Sequence, residues 1–206
     1  FNSGPNTGGM GAMSHPFCSY KKNDIYALNM EIEKIINKTI TAINDSSDQN
    51  KKYRGFLYLG LMISTTDDKP YLLEYNCRMG DPETQNIIMY LDNNNVDFLE
   101  LIGLDNSDNP DNFNLSFIDD KNISGFCCTV VLAAKGYPSN PVKDFYLDTS
   151  EVDEQNNLKV FHAGTKISNG AIRVSGGRIL SVNAFSENKE DAIELAYRNI
   201  SKIKAL

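Results

Sequence analysis

The chain has 206 residues, and its 20 lysine and arginine residues against 27 aspartate and glutamate residues give a formal net charge of −7. Its 41% hydrophobic and 23% charged residues are typical of a soluble globular protein, long enough for one large domain or two small ones. The acidic balance argues against a nucleic-acid or anionic-membrane ligand, and no apolar run approaches the roughly 20 residues of a membrane-spanning helix. The 4 cysteines form no Cys-x-x-Cys pair, so neither a zinc site nor a disulfide framework is expected. We therefore expect a cytoplasmic protein with reduced cysteines.

The first half of the chain is predicted to contain a loop, a helix and a hairpin. Residues 1–16 carry four glycines and two prolines and are predicted to form a loop. From Asp24 onward, isoleucine and leucine recur at steps of three and four, which predicts an amphipathic helix of about five turns. The apolar run 55–64 and the segment 71–78 flank a turn-forming stretch and predict an antiparallel β-hairpin. We expect this hairpin to be well covered.

The second half is predicted to contain three helices and four short strands. A helix over 82–97 is expected to be capped by Asp81, and a short helix is expected over 96–102. Strands are predicted over 125–134, 159–165, 171–175 and 178–184, before a last helix that starts near Lys189 with Asn188 as its cap. The polar stretch between Gly103 and Asn122 predicts a boundary between a domain over 1–103 and a small α+β domain over 104–206.

The most specific chemical pattern is Glu74-Tyr75-Asn76-Cys77-Arg78 on the second strand of the hairpin. Because side chains alternate along a strand, Glu74, Asn76 and Arg78 are expected on one face, each about 6.6 Å from the next. Carboxylate and amide oxygens are ligands that Mg²⁺ and Mn²⁺ accept, and a guanidinium can bind a phosphate or carboxylate. The alternative is a solvated polar face of an edge strand, and the spacing modestly favours the functional interpretation.

The glycine-rich loop over 4–12 is a weaker candidate. Its glycines would let backbone N–H groups approach an anion, but it fits neither the P-loop nor the dinucleotide fingerprint, so a plain turn is favoured. His15 is expected on a surface loop, and His162 is interpreted as structural because no Cys or second His stands at ligand spacing.

Several segments resemble one enzyme family in order along nearly the whole chain. They are 4–12 (GPNTGGMGA), 55–63 (GFLYLGLMI), 74–85 (EYNCRMGDPETQ), 136–138 (GYP), 160–165 (VFHAGT) and 176–180 (GGRIL). Together they resemble the phosphoribosylamine–glycine ligases, and the Arg-x-Gly-Asp-Pro-Glu segment is the most specific of them. The resemblance implies the C-terminal part of an ATP-grasp domain, an antiparallel sheet with helices, followed by a small α+β C-terminal domain.

The resemblance also implies a reaction in purine synthesis. ATP phosphorylates the glycine carboxylate to glycyl phosphate, and the amine of 5-phosphoribosylamine then displaces the phosphate to give glycinamide ribonucleotide. By resemblance, Glu74 and Asn76 match the ligands of Mg²⁺ or Mn²⁺, and Arg78 would stabilise the acyl phosphate or orient a substrate carboxylate. The resemblance further implies substrate or phosphate binding by Asn6, Thr7, Gly8, Gly9, Gly11, Asp81 and Glu83.

Departures from the family pattern bear on what this chain does alone. Met79 replaces the usual Phe or Leu, Met13-Ser14-His15-Pro16 replaces a Tyr-Ser-Pro run, and the stretch with which the family usually finishes is not found. The family's N-terminal half, with its adenine pocket and lid, would precede Phe1, so the chain is expected to be a piece of a longer protein and inactive without that half. Two alternatives stay open: another ATP-grasp carboxylate–amine ligase or carboxylase, and a non-catalytic module that keeps the fold.

Overall fold

The computed structural model describes residues 4–14, 22–44, 53, 55–101 and 123–206. These residues contain four helices and ten strands, and every paired strand is antiparallel. The elements are β1 Gly11–Ser14, α1 Lys22–Ile43, β2 Tyr58–Ile63, β3 Pro70–Asn76, α2 Glu83–Asn93, α3 Phe98–Leu101, β4 Phe126–Ala133, β5 Tyr146–Asp148, β6 Leu158–His162, β7 Thr165–Ser168, β8 Ala171–Val174, β9 Arg178–Ser186, α4 Lys189–Ile200 and β10 Lys204–Ala205.

The chain divides into two compact units. One contains Phe1–His15 together with Asp81–Leu206, and the other contains Pro16–Gly80. The glycine-rich segment and helix α2 therefore fold with the C-terminal strands, although they are distant from them in the sequence. The predicted domain boundary at 103/104 falls in residues 102–122, outside the described residues, and stays a prediction.

The larger unit is built on a four-stranded sheet of order β1-β4-β9-β6. Its central strands β4 and β9 pair over eight positions, and most of β9 is buried. Helix α4 packs on these two strands through Ala192 and Ala196, both 0% exposed, as the spacing predicts. A second sheet of order β10-β5-β8-β7 belongs to the same unit. Buried residues of both sheets and α4 form one core, which includes Leu147, Val174 and Leu180.

A chain of buried amides and hydroxyls links α2 to this sheet, and we call it the buried amide network. The Asn86 Nδ2 donates to the carbonyls of Ala12 (3.3 Å) and Cys127 (2.8 Å) and to Thr129 Oγ1 (2.9 Å), while its Oδ1 accepts from Ser14. Thr129 in turn donates to Asn183 Oδ1 (2.5 Å). Because buried polar groups are costly unless paired, this network fixes α2 against β1, β4 and β9.

The smaller unit contains α1 and the β2–β3 hairpin, whose existence and turn are as predicted. The expectation that the hairpin is well covered is wrong for this chain, because Met62, Tyr71, Leu73 and Tyr75 are all exposed. A two-stranded sheet has two faces, and α1, which contacts β3 through Thr39 and Tyr75 (2.5 Å between their hydroxyls), covers only part of them.

Other predictions of local structure need correction. Strand β1 lies within the predicted loop, where Gly11 pairs with Val130 of β4. Helix α2 begins at Glu83, so its N-cap residue is Pro82 and not the predicted Asp81, whose carboxylate binds the side chains of Gln85 and Arg178. No described helix combines the length and apolarity needed to cross a bilayer.

Candidate functional site

Glu74 and Asn76 lie next to each other at the end of β3. The Asn76 Nδ2 donates to Glu74 Oε1 across 3.1 Å, so the predicted proximity of these two side chains is present. Glu74 is exposed and Asn76 half-buried. Because the hydrogen bond uses the amide nitrogen, it leaves the Asn76 carbonyl oxygen and the second Glu74 oxygen for other partners. The pair therefore presents two hard oxygen donors on a regular strand.

Gly60 of β2 makes room for the Glu74 side chain, a role that the sequence analysis missed. The two residues are register partners, and a Cβ on Gly60 would lie 2.9 Å from Glu74 Cγ. A register shift between Gly60 and Leu61 leaves Leu73 without a partner residue, so the strict alternation predicted from Leu72 to Asn76 is interrupted there. Glu74 and Asn76 both follow the irregularity and keep their shared face.

Arg78 does not extend the row as predicted. Strand β3 ends at Asn76, Cys77 and Arg78 form a bend, and the Arg78 Nη1 donates to the carbonyl of Met79 (3.1 Å). The period-two argument fails at this point because it holds only within a strand. The guanidinium is exposed and follows the Glu74–Asn76 pair in the chain without sharing its strand.

The glycines of the glycine-rich loop are explained by close packing against protein groups. The Gly8 N–H donates to Tyr137 Oη (2.9 Å), and a Cβ on Gly9 would lie 2.6 Å from Pro82 Cδ. A Cβ on Gly11 would lie 2.8 Å from the carbonyl oxygen of Thr129. Side chains larger than hydrogen would therefore push this segment away from the rest of its unit.

Asp81 is held by two side chains at the turn before α2. Its Oδ1 accepts from Gln85 Nε2 (2.9 Å) and its Oδ2 from Arg178 Nη2 (2.9 Å). Glu83 is the first residue of α2, where a negative charge interacts favourably with the helix dipole. The motif residues after Arg78 thus have packing roles that their spacing alone did not reveal.

The remaining candidate residues are less constrained. Asn6 and Thr7 are exposed on the glycine-rich loop, and His15 lies outside the described residues. His162 is exposed, with its Nδ1 3.0 Å from Thr165 Oγ1. Tyr137 and Arg178 contact the glycine-rich loop, and the sequence gives them only as part of family-like segments, because nothing in their local sequence predicts those contacts.

The donor set fits a divalent cation that is shared with a ligand. No cluster of three or more His, Cys, Asp or Glu side chains suited to a metal occurs in the part of the chain that the structure describes. A closed protein cage, as in structural zinc sites, is therefore not formed by these residues. Mg²⁺ instead commonly takes one or two protein oxygens and fills its shell with water and substrate phosphates, and the Glu74–Asn76 pair suits that mode.

The clearest pKa shifts lie elsewhere. Burial, with a smaller contribution from the neighbouring Cys128, raises the pKa of the Cys127 thiol to about 12. At the hairpin turn, the hydrogen bond from Ser64 lowers the pKa of Asp67, and the hydrogen bond to Asp67 raises that of Tyr71. These shifts have structural causes and do not mark a catalytic acid or base.

Two family models match consecutive parts of the chain. The ATP-grasp (A) domain of phosphoribosylglycinamide synthetase matches residues 2–84, and the C domain of the same enzyme matches residues 127–205. The first match includes the Glu74–Asn76 pair and the glycine-rich loop, and the second includes Arg178. The predicted order of an ATP-grasp segment followed by the family's C-terminal domain is thereby confirmed.

Individual proteins agree with the family models. The phosphoribosylamine–glycine ligase of Clostridium acetobutylicum is 38% identical over 204 residues, which cover 98% of this chain and 44% of that protein. The solved structure of the Thermotoga maritima phosphoribosylamine–glycine ligase is 33% identical, with a TM-score of 0.67 over 98% of this chain and 45% of that one. An L-amino acid ligase from Bacillus licheniformis, at 15% identity, covers 99% of this chain and 45% of its own with a TM-score of 0.60, and shares the fold alone. The chain thus spans less than half the length of the relatives it matches, and it belongs to the phosphoribosylglycinamide synthetase family.

Proposed function

We propose that this chain supplies part of the metal and substrate site of an ATP-dependent ligase that joins glycine to 5-phosphoribosylamine. The products would be glycinamide ribonucleotide, ADP and phosphate, as expected for a step of purine synthesis. The observation that carries the proposal is the Glu74–Asn76 pair, which presents a carboxylate and an amide oxygen side by side on β3. The proposed substrates are taken from the names of the relatives, and the proposed metal binding is taken from the pair.

Glu74 and Asn76 would hold Mg²⁺ or Mn²⁺ together with the phosphates of ATP. When bound, such an ion neutralises phosphate charge and polarises the phosphoryl group that is transferred. The strand fixes the spacing of the two oxygens, and Gly60 leaves the space in which the Glu74 side chain lies. The chain's contribution is therefore a preformed pair of ligands that needs little rearrangement when the ion binds.

Arg78 would stabilise the negative charge that develops during the reaction. The γ-phosphoryl group of ATP is transferred to a glycine carboxylate oxygen, ADP leaves, and glycyl phosphate results. The amine of 5-phosphoribosylamine then bonds to the acyl carbon and expels inorganic phosphate, while the amine loses a proton. An exposed guanidinium can bind either the glycine carboxylate or the acyl phosphate through two parallel N–H donors.

The glycine-rich loop and the turn before α2 would contact substrate. The exposed side chains of Asn6 and Thr7 carry hydrogen-bonding groups suited to a phosphate or a sugar hydroxyl. Asp81 and Glu83 would add carboxylates beside them. Gly8, Gly9 and Gly11 would serve this site through the close packing that holds the loop in place.

The adenine pocket and the lid would come from the part of the enzyme that corresponds to the unmatched part of the relatives. Because the chain spans 44% of the length of the Clostridium relative, we propose that it is inactive alone and works with that further half in the cytoplasm. No nucleic acid or membrane partner is proposed.

The test is glycine-dependent release of ADP from Mg-ATP in the presence of freshly made phosphoribosylamine. It is run on the native polypeptide that contains these 206 residues, and separately on the 206 residues alone, with glycine omitted as the control. Glycine-dependent ADP release by the native polypeptide and none by the chain alone is the expected result. No glycine-dependent release by the folded native polypeptide would overturn the proposed function, and activity of the chain alone would overturn the proposed location of the ATP site.

A further inference from the structure

Arg178, the first residue of β9, binds three acceptors that lie on two separate segments of the larger unit. Its Nη1 donates to the carbonyls of Asp81 (2.7 Å) and Gly9 (3.1 Å), and its Nη2 donates to Asp81 Oδ2 (2.9 Å). The Arg178 side chain is only 25% exposed. Because the guanidinium directs its bonds to both segments at once, they hold the glycine-rich loop and the turn before α2 to the same strand.

Gln85 holds the same carboxylate from the other side. Its Nε2 donates to Asp81 Oδ1, so both oxygens of Asp81 have a fixed donor, whereas the carboxylate remains half exposed. The Gln85 Oε1 is buried and accepts no hydrogen bond in the part of the chain that the structure describes. A buried acceptor without a partner is destabilising, and the Gln85 side chain nevertheless keeps its amide nitrogen directed at Asp81.

The backbone of the loop is shaped to fit the guanidinium. A Cβ on Gly8 would lie 2.9 Å from Arg178 Cζ and 3.2 Å from Tyr137 Oη. Together with the packing of Gly9 on Pro82, this contact leaves the loop little freedom to shift along Arg178. The contacts thus set one position for both the loop backbone and the Asp81 carboxylate.

We propose that Arg178 is a positioning residue for catalysis, which acts by fixing the Asp81 carboxylate and the glycine-rich loop in the geometry that binds substrate. This inference rests on the proposed function, because it assumes that Asp81 and the loop contact substrate. A carboxylate that is anchored at both oxygens yet half exposed suits the recognition of an amine. Glycine and 5-phosphoribosylamine, the two proposed substrates that are joined, each carry an amine.

The role requires the planar fork of arginine. Two nitrogen atoms serve three acceptors here, whereas lysine has one nitrogen on a stem that does not reproduce the fork. Arg178→Lys is therefore expected to behave like Arg178→Gln and to rescue little. The matched control is Arg173→Gln, which removes another arginine–aspartate ion pair, with Asp144, at a similar side-chain exposure of 33%.

The kinetic experiment uses the native polypeptide. For Arg178→Gln we expect kcat/KM to fall about 100-fold, the magnitude typical of a misplaced substrate-binding group, with a higher KM for an amine substrate and an unchanged KM for ATP. In a cycle with Asp81→Asn, the double variant should lose clearly less activity than the sum of the two single losses, because the two variants share the Arg178–Asp81 contact but not the contact with Gly9. Additive losses, equal effects on the KM of ATP, or activity like that of Arg173→Gln would each overturn the inference.

A second measurement keeps this inference separable from the proposed function. Hydrogen exchange of a peptide covering residues 4–14 should be faster in Arg178→Gln than in wild type and Arg173→Gln, because the loop loses its anchor. Unchanged exchange would overturn the positioning role even in an active ligase. Faster exchange in a protein whose wild type shows no ligase activity would overturn the proposed function and the catalytic assignment but retain the anchoring role.

Discussion

The buried amide network and the Glu74–Asn76 pair both consist of polar side chains on regular elements, but only those of the network have their hydrogen bonds satisfied within the fold. Asn86 is 1% exposed, uses its nitrogen for three acceptors and its oxygen for one donor, and Asn183 is 0% exposed. The Glu74–Asn76 pair shares one hydrogen bond at an exposed strand end. The difference teaches that polar groups paired inside the core specify the fold, whereas polar groups at the surface with oxygens that lack a partner among the described residues are the ones suited to a ligand.

The largest expected effect comes from removing one oxygen of the pair. Asn76→Leu and Glu74→Gln should each lower kcat of the native polypeptide by about 1000-fold, since loss of a metal ligand removes several kcal/mol of charge stabilisation. The urea midpoint should stay close to that of wild type, because neither side chain is buried. Glu151→Gln, at an exposed carboxylate paired with Lys204, is the control. Wild-type turnover in both variants would refute the metal role.

Breaking the buried amide network should have the opposite signature. Asn86→Ala leaves two carbonyls, Thr129 and Ser14 short of a partner, so the free energy of unfolding should fall by about 2–4 kcal/mol. Turnover per folded molecule should change little. Asn93→Ala, on the same helix but bonded to the carbonyls of Met89 and Asn156, should cost less than about 1 kcal/mol. Equal losses in the two variants, measured by urea unfolding, would contradict the distinction.

A smaller effect is expected from filling the space beside Glu74. Gly60→Ala would bring a methyl group to 2.9 Å from Glu74 Cγ, so the carboxylate must shift. We expect the Mg²⁺ concentration for half-maximal turnover to rise about tenfold, the lower end of what disturbed ligand orientation costs. In a Glu74→Gln background the same substitution should have little further effect. A full additional loss in that background would show that Gly60 acts independently of Glu74.

The smallest effect concerns the thiols of the core. Burial raises the pKa of Cys127 from 9.0 to about 12, so the folded state keeps a proton that the unfolded state releases between these values. Stability should therefore be fully present below pH 9 and decline as the pH rises toward 12, with a shallower decline in Cys127→Ala. Urea unfolding at several alkaline pH values checks this. Equal slopes for wild type and Cys127→Ala would contradict the assignment.

The sequence predicted those elements whose pattern is local. Helix α1 follows from its regular isoleucine spacing, the hairpin from two strand-forming segments around a turn, and α4 from apolar residues spaced on one face. Strand β1 was missed because its glycines indicate a loop, and only pairing with β4 makes it a strand. Arg78 was placed on β3 because alternation cannot indicate where a strand ends.

The candidate site divides in the same way. Glu74 and Asn76 were found because they are two residues apart on one strand, so their proximity is a local property. Arg178 contacts Gly9, and Tyr137 contacts Gly8, each across more than a hundred residues of sequence. The periodicity of a sequence does not predict such distant contacts. The cap predicted at Asp81 was wrong because α2 begins at Glu83, which makes Pro82 the N-cap residue.

The most direct test of the central claim measures Mn²⁺ binding to the native polypeptide in the presence of ATP, with electron paramagnetic resonance as the readout. If Glu74 and Asn76 hold the ion, Glu74→Gln and Asn76→Leu should each raise the Kd for Mn²⁺ by at least about tenfold, whereas Glu151→Gln should leave it unchanged. A Kd for Mn²⁺ that is the same in wild type, Glu74→Gln and Asn76→Leu would contradict the account.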